Sequence, residues 1–271
     1  MEQCGILNYI KTTVFGDNSQ TSNSEEKGRE PKRMKQNHDE DVSDNKCANN
    51  KWAYCDLGCN EGDLSLALSS DIIAKECADG ASMYCLGLDI DKELIKRAQA
   101  KKKSCTNQGK IKDVLQFNAE FHECNLNDAK DHLEKTKLFL KQVSVERFNL
   151  TSIFSTTMWI HIHSGDDGLV SFLERACSMT NYLLVEPQPS KCYRSVNIRL
   201  RRMNRPEEDI SVERLKMRSD MEGEIDRVVK SFGFERVVLP TESSSTSGES
   251  DREISRTKWK RNLQIYRRIE L

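Results

Sequence analysis

Short apolar runs alternate with amphipathic stretches along the chain from residue 52 to about residue 190. Five runs have the length and composition of strands: WAYCDL, SMYCLGLD, EFHECNL, RFNLTSIFS and NYLLVEP. The segments 61–78, 91–103, 127–142 and 166–179, which lie between them, are predicted as helices. Strands that alternate with helices predict right-handed βαβ crossovers and a mostly parallel sheet covered on both faces. The predicted fold class is therefore α/β.

The C-terminal part has a different pattern. FERVVL and RNLQIYRR are strand-like runs with no helical segment between them, which predicts an antiparallel hairpin at the end of the sheet. Residues 1–51 are dominated by polar residues and are predicted to be mostly disordered. The Ser-rich stretch 241–253 is predicted to be a flexible loop. We expect one folded domain over residues 52–271.

Composition excludes several classes of protein. The chain has 271 residues, with 42 basic and 43 acidic side chains, so no global charge favours nucleic acid or membrane. No apolar run is long enough for a membrane span, and the first eight residues do not resemble a signal peptide. We expect a soluble, intracellular monomer, cytoplasmic with the nucleus as the alternative. The ten cysteines are scattered, and the Cys55–Cys59 spacing fits no common metal site.

The turn after the first predicted strand, DLGCNEGD, is the first candidate for ligand chemistry. Gly58 permits a tight turn and a close approach of backbone to a ligand, and Asn60 tolerates a left-handed conformation. The predicted helix that begins at about Glu61 directs free N–H groups at an anionic group. An ordinary strand-to-helix connection is the alternative.

The turn differs from a dinucleotide-binding fingerprint. Asn60 replaces the middle glycine, and the acidic residue at the end of the second strand, Asp89, lies farther along the chain than the usual distance of about 20 residues. A ligand without a pyrophosphate, such as S-adenosylmethionine, suits this pattern better. Asp89 would then accept hydrogen bonds from both ribose hydroxyls.

Two further stretches carry a family resemblance. TTMWIHIHSGDDGLVSFL (156–173) and YLLVEPQPSKCYR (182–194), together with DLGCNEGDLSLAL and LGLDID, resemble the bicoid-interacting-protein-type RNA methyltransferases, and the RNA 5′-monophosphate branch in particular. The resemblance implies a Rossmann-like class I methyltransferase fold with S-adenosyl-L-methionine as cofactor. It also implies methylation of the 5′-terminal phosphate of a small RNA, such as a tRNA or a microRNA precursor.

Motif matches to the family imply roles for individual residues. The implied cofactor-binding residues are Gly58, Asn60, Asp89, Asn125, Leu126 and Phe154. Tyr9, in a segment that would fold over the site, is an implied contact on the RNA side. Three departures separate this chain from the family: Asn125 stands where an acid is usual, Ser190 replaces a tryptophan, and the segment before Trp52 is dissimilar.

The implied reaction needs orientation more than acid–base chemistry, because the sulfonium activates the methyl group and the phosphate oxygen is already anionic. His161 and Trp159 are the predicted catalytic residues, with His161 contacting the terminal phosphate. If this run is extended, His161 and His163 share a face, and a metal is the alternative that we do not favour. A capped loop with one packed and one exposed histidine is the other alternative.

A basic run begins at Lys191, after the fifth predicted strand (NYLLVEP), and contains no acidic residue up to Arg205. A solvated helix face is the usual fate of such a run, but its position after the substrate-side loop favours contacts with RNA phosphates. The predicted RNA-binding residues in it are Lys191, Tyr193, Arg194, Arg199, Arg201 and Arg202. Trp159 and Tyr193 would stack on the terminal base. A small-molecule or protein methyltransferase and a non-catalytic RNA-binding relative are the competing functions.

Overall fold

The computed structural model of the chain describes residues 51–76, 82–107, 116–196, 198, 212–237 and 261–269. The predicted disordered segment, apart from Lys51, and the predicted loop 241–253 lie outside these ranges. The strands are Lys51–Leu57 (β1), Ser82–Asp89 (β2), Gln116–Glu123 (β3), Phe148–Phe154 (β4), Thr180–Glu186 (β5), Phe234–Arg236 (β6) and Gln264–Arg268 (β7). The helices are Asp63–Glu76 (α1), Lys92–Asn107 (α2), Ala129–Val143 (α3), Thr157–Ser178 (α4), Ser190–Tyr193 (α5) and Met221–Ser231 (α6).

The seven strands form one sheet in the order β3-β2-β1-β4-β5-β7-β6. Strands β1 to β5 pair in parallel, and β7 runs antiparallel to both β5 and β6. The predicted α/β class, the mostly parallel sheet and the antiparallel C-terminal pair are confirmed. The pair is more than an appended hairpin, because β7 lies between β5 and β6.

Helices cover both faces of the sheet, and each face has its own apolar cluster. One cluster includes Leu140 of α3, Phe172 of α4 and Ile225 of α6, and the other includes Leu68 of α1 and Ile95 of α2. All five side chains are buried. Burial of apolar surface on both faces explains why the central strands read as continuous apolar runs.

The parallel register brings the carboxyl ends of the strands to one edge of the sheet. Leu57 at the end of β1 pairs with Leu88, and Asp89 at the end of β2 pairs with Glu123. Since β2 and β4 lie on opposite sides of β1, the strand order reverses there. Ligands of open α/β sheets bind in the crevice at such a reversal, which places the candidate site after β1 and β4.

Several predicted boundaries differ from the observed ones, and two of these differences lie at the candidate site. Helix α4 begins at Thr157 rather than Asp166, and Gly165 (φ 73°, ψ −175°) forms a kink inside it. Alternation of apolar and polar residues at the start of this helix hid its helical character, because nearly every side is buried. Strand β3 ends at Glu123 rather than near Leu126.

No helix in the described ranges is both long enough and apolar enough to span a bilayer.

Gly87 of β2 allows the ring of Phe121 on β3 to lie across it. A Cβ atom at position 87 would lie 2.4 Å from Cδ1 of Phe121. We therefore expect Gly87→Ala to lower the free energy of unfolding by about 1–3 kcal/mol, as overpacking does. Urea unfolding measures this loss. Adding Phe121→Leu should cost less in the alanine background than in the wild type, and equal costs in both backgrounds would contradict the contact.

Candidate active site

The turn after β1 has three residues in the left-handed region: Gly58 (φ 86°), Asn60 (φ 53°) and Gly62 (φ 75°). The backbone N–H groups of Gly58 and Cys59 donate to the carbonyl of Leu88, at 2.7 and 3.0 Å, which folds the turn against β2. A Cβ at position 58 would lie only 2.0 Å from the Thr156 Oγ1. Only glycine lets the loop after β4 approach this closely.

The Asp89 carboxylate joins the turn to the end of β2. Its Oδ2 accepts the N–H of Asn60 and its Oδ1 the N–H of Asp91, both at 2.9 Å. Asp89 is half-buried and Asn60 is exposed, so the carboxylate can still accept hydrogen bonds from a ligand. Ile90, which sequence reasoning missed, is 55% exposed beside it and gives the crevice an apolar surface. An apolar residue directly after a strand-ending acid was the available signal.

A second carboxylate, Asp56, is buried beneath the turn. It accepts the hydroxyls of Ser65 on α1, at 2.5 Å, and of Ser152 on β4, at 2.7 Å. The Tyr54 hydroxyl lies 2.7 Å from that of Ser152. Burial raises the pKa of Asp56 to about 6, against the lowering effect of the two serine hydroxyls. Asp56 is therefore ionised at neutral pH.

Across the crevice, the Gln188 side chain orders the loop between β4 and α4. Its Oε1 accepts the Met158 N–H and the Thr157 hydroxyl, both at 3.0 Å, and its Nε2 donates to the Ser155 carbonyl. Gln188 is 1% exposed. These bonds satisfy donors at the start of α4 and help to explain why the helix begins at Thr157.

A buried ion pair lies beside this loop. Nη1 of Arg261, just before β7, lies 3.1 Å from Oε2 of Glu186, and the side chains are 12% and 4% exposed. Ser155, in the left-handed region (φ 53°), donates its hydroxyl to Glu186 and accepts from Arg261. Because one partner alone would be an uncompensated buried charge, the pair ties β7 to the ends of β4 and β5. In the sequence the Glu-Pro-Gln-Pro run carries only a family resemblance, and its pattern does not indicate these contacts.

The predicted adenine contacts lie at the same edge of the sheet. Asn125 is exposed, and its Oδ1 accepts the N–H of Asn127 at 3.1 Å. Phe154 is half-buried at the end of β4. The Leu126 side chain is 5% exposed and packs in the core, so only the backbone of Leu126 is available to flank a ligand. Its carbonyl accepts Nη2 of Arg175 at 3.0 Å.

The predicted phosphate contact of His161 is not met in this structure. The ring is 0% exposed, with Nδ1 2.8 Å from the Tyr193 hydroxyl and Nε2 2.7 Å from Oδ1 of Asp166. Both nitrogens are therefore engaged inside the protein. His163 is exposed and lies two positions along the same helix, about 200° around the axis, so the two rings share no face.

The remaining predicted residues divide by exposure. Lys191 and Arg194 are exposed and Trp159 is half-buried. Tyr193, which the sequence analysis expects to stack on a base, is buried in this structure, with only 1% of the residue exposed. Tyr9, Arg199, Arg201 and Arg202 lie outside the described residues. Within the described ranges, no group of three or more His, Cys, Asp or Glu side chains could hold a metal ion.

The sheet order with its reversed β7, the glycine turn after β1 and the acid that ends β2 define a class I S-adenosylmethionine-dependent methyltransferase fold. A family profile described as Bicoid-interacting protein 3 (Bin3) matches residues 148–268. The chain is 33% identical over 218 residues to a pre-miRNA 5′-monophosphate methyltransferase of Danio rerio, covering 79% of this chain and 76% of the relative. The chain belongs to the Bin3 family of RNA methyltransferases.

Two other similarities extend the comparison. The RNA 5′-monophosphate methyltransferase of Homo sapiens is 33% identical over 220 residues, covering 78% of this chain and 66% of the relative. The solved structure of the N-methyltransferase NodS from Bradyrhizobium japonicum superposes with a TM-score of 0.41 at 11% identity, over 81% of this chain and 86% of NodS.

Burial of Asp56 predicts a pH dependence of stability. Its pKa is about 6 in the folded protein against an ordinary 3.8, so between these pH values the folded state binds the extra proton. The stability of the wild type relative to Asp56→Asn should therefore fall as pH rises through this window. The expected loss is about 3 kcal/mol, and the difference should be constant above about pH 7. Denaturant unfolding of both proteins measures this, and a pH-independent difference would contradict it.

Proposed function

We propose that this chain transfers a methyl group from S-adenosyl-L-methionine to the 5′-terminal monophosphate of an RNA, a small RNA such as a tRNA or a microRNA precursor. The observation that carries the proposal is the 33% identity, over 79% of the chain, to a relative named as a pre-miRNA 5′-monophosphate methyltransferase. The geometry of the crevice supports the chemistry that this name implies.

The residues of the turn fit the cofactor. Gly58 keeps the crevice free of a side chain where Thr156 comes closest, and the half-buried Asp89 carboxylate retains acceptor capacity for ribose hydroxyls. Ile90 would cover one side of the adenine, with Phe154 and the exposed Asn125 as further contacts. S-adenosylmethionine would supply an activated methyl group on a sulfonium.

Electrostatics also favour a cationic methyl donor. Asp56 is mostly ionised at neutral pH. Burial is the main cause that raises its pKa, and repulsion from the Asp89 carboxylate is a further cause, so each carboxylate contributes to the potential at the other. Their combined negative potential beneath the turn attracts a positive sulfonium and disfavours an anionic phosphate at that point. The phosphate would therefore approach from the side of β4 and β5.

On that side the chain orients the acceptor and excludes water. Gln188 and the pair of Arg261 and Glu186 hold the loop at Ser155 next to the Gly58 turn. A phosphate oxygen is anionic at neutral pH and needs no general base, so a rigid loop that fixes the line of approach is the main contribution expected of the protein.

Cations for the RNA lie on α5 and directly after it. Lys191 and Arg194 are exposed on the segment that follows β5 and can contact phosphates. The half-buried Trp159 can stack on the terminal base. Arg199, Arg201 and Arg202 continue the basic run in the sequence and are proposed as phosphate contacts from the sequence alone.

Three RNAs of one sequence that differ only at the 5′ end test the proposed substrate. With radiolabelled S-adenosylmethionine, we expect methyl transfer to the 5′-monophosphate RNA and none to the 5′-hydroxyl RNA. Labelling of the 5′-triphosphate RNA measures how well the enzyme distinguishes a monophosphate end from a triphosphate end. Equal labelling of the hydroxyl RNA would place the acceptor elsewhere in the RNA. Cofactor binding without any RNA labelling would favour a small-molecule or protein substrate or a non-catalytic role.

Asp89→Ala should weaken binding of S-adenosylmethionine about 100-fold or more, because each lost charge-assisted hydrogen bond is worth about 1.5–3 kcal/mol. Isothermal titration calorimetry measures the affinity. Asp91→Ala is the matched control, since Oδ1 of Asp91 accepts the N–H groups of Glu93 and Leu94 at the start of α2. This control should cost about 1 kcal/mol of stability and leave affinity nearly unchanged. Equal losses of affinity in both variants would show that Asp89 acts only by shaping the loop.

A further inference from the structure

Three polar side chains, two of them buried, form a hydrogen-bonded chain between α5 and α4. The Tyr193 hydroxyl, the imidazole of His161 and the Asp166 carboxylate are joined by hydrogen bonds of 2.8 and 2.7 Å. The Tyr193 and His161 side chains are 1% and 0% exposed. Neither touches solvent, so neither is placed to contact a ligand directly.

The direction of each hydrogen bond follows from the chemistry of the partners. Asp166 also accepts the backbone N–H groups of Met217 and Lys216, at 3.0 and 3.1 Å, and the pKa of its carboxyl is lowered because these bonds and that from His161 outweigh burial. As an ionised carboxylate it only accepts, so the proton of His161 lies on Nε2. Burial lowers the pKa of His161, so the ring is neutral and Nδ1 accepts the Tyr193 hydroxyl.

A backbone kink makes this chain possible. In a straight helix, positions 161 and 166 would point about 140° apart. Gly165 leaves the helical region between them (φ 73°, ψ −175°), and Asp166 then reaches the ring of His161. The same carboxylate ties the segment before α6 to α4 through Lys216 and Met217.

At the other end of this hydrogen-bonded series, Tyr193 belongs to α5. This helix is a single turn of four residues. A helix this short has almost no stability of its own, so tertiary contacts must determine its orientation. Cys192 and Tyr193 are its buried members, and only Tyr193 makes a directional bond to α4 among the described contacts. The exposed Lys191 and Arg194 flank these two anchors.

We propose that Tyr193, His161 and Asp166 are positioning residues for the RNA: they fix α5 so that Lys191 and Arg194 meet the phosphates near the 5′ end. This inference rests on the proposed function. His161 then acts on the RNA indirectly, through Tyr193 and the cations beside it. The Tyr193 side chain holds α5 in place instead of stacking on a base.

Tyr193→Phe removes only the hydroxyl and leaves the ring packing in place. We expect it to weaken binding of a 5′-monophosphate RNA about fivefold, the equivalent of one net hydrogen bond, with an unchanged rate at saturating RNA and unchanged affinity for S-adenosylmethionine. Tyr182→Phe, a half-buried tyrosine near the opposite end of β5, is the matched control and should bind RNA as the wild type does.

A double-mutant cycle tests whether the hydroxyl acts through the two cations. In a Lys191→Gln/Arg194→Gln background, Tyr193→Phe should have little further effect on RNA affinity. A second pair of variants examines the ring of His161. In His161→Asn the shorter amide reaches the position of Nδ1 and keeps an acceptor for Tyr193. In His161→Gln the longer amide reaches the position of Nε2 and keeps a donor for Asp166. The Asn variant should therefore retain more RNA affinity than the Gln variant.

Several results would overturn the inference. They are unchanged RNA affinity in Tyr193→Phe, a full-sized effect in the background without the two cations, a reduced rate at saturating RNA with unchanged affinity, or an equal loss of cofactor affinity, which would indicate general loosening. Failure of the wild type to methylate 5′-monophosphate RNA would overturn the proposed function instead. The two failures are therefore distinguishable.

Discussion

The buried carboxylate of Asp56 joins the three elements that meet beneath the turn after β1. Hydroxyls from α1 (Ser65) and β4 (Ser152) converge on it, and Tyr54 supports the second of these. A charge in this position is costly unless it is fully hydrogen-bonded, so the contacts fix the spacing of β1, α1 and β4. The turn that begins at Gly58, two residues later, inherits that spacing. Asp56 thus contributes negative potential to the site and also connects the elements that surround it.

The acceptor side depends on buried polar contacts in the same way. Gln188 sets the start of α4, and the pair of Arg261 and Glu186 connects the last strand of the sheet to the loop at Ser155. Directional bonds specify one conformation of the loop where apolar packing would allow several. A methyl transfer that depends on alignment benefits from that restriction.

The sequence allowed the prediction of features that depend on local pattern. Apolar runs and their spacing predicted the parallel strands, and the residues around Gly58 predicted the tight turn that lies beside Asp89. Features that depend on distant partners were not predictable. Arg261 and Glu186 are 75 residues apart, and the local pattern around His161 left open whether its ring is packed or exposed. A neutral buried histidine and an exposed catalytic one have the same sequence signal.

The position of the transferred methyl group on the RNA distinguishes methylation of the terminal phosphate from every other reaction. Mass spectrometry can locate this group directly, using a donor deuterated in the methyl group and nuclease release of the 5′-terminal nucleotide from a 5′-monophosphate RNA. We expect a deuterated methyl ester on the terminal phosphate. Label on the base or the ribose of any nucleotide, with the terminal phosphate unmodified, would contradict this expectation.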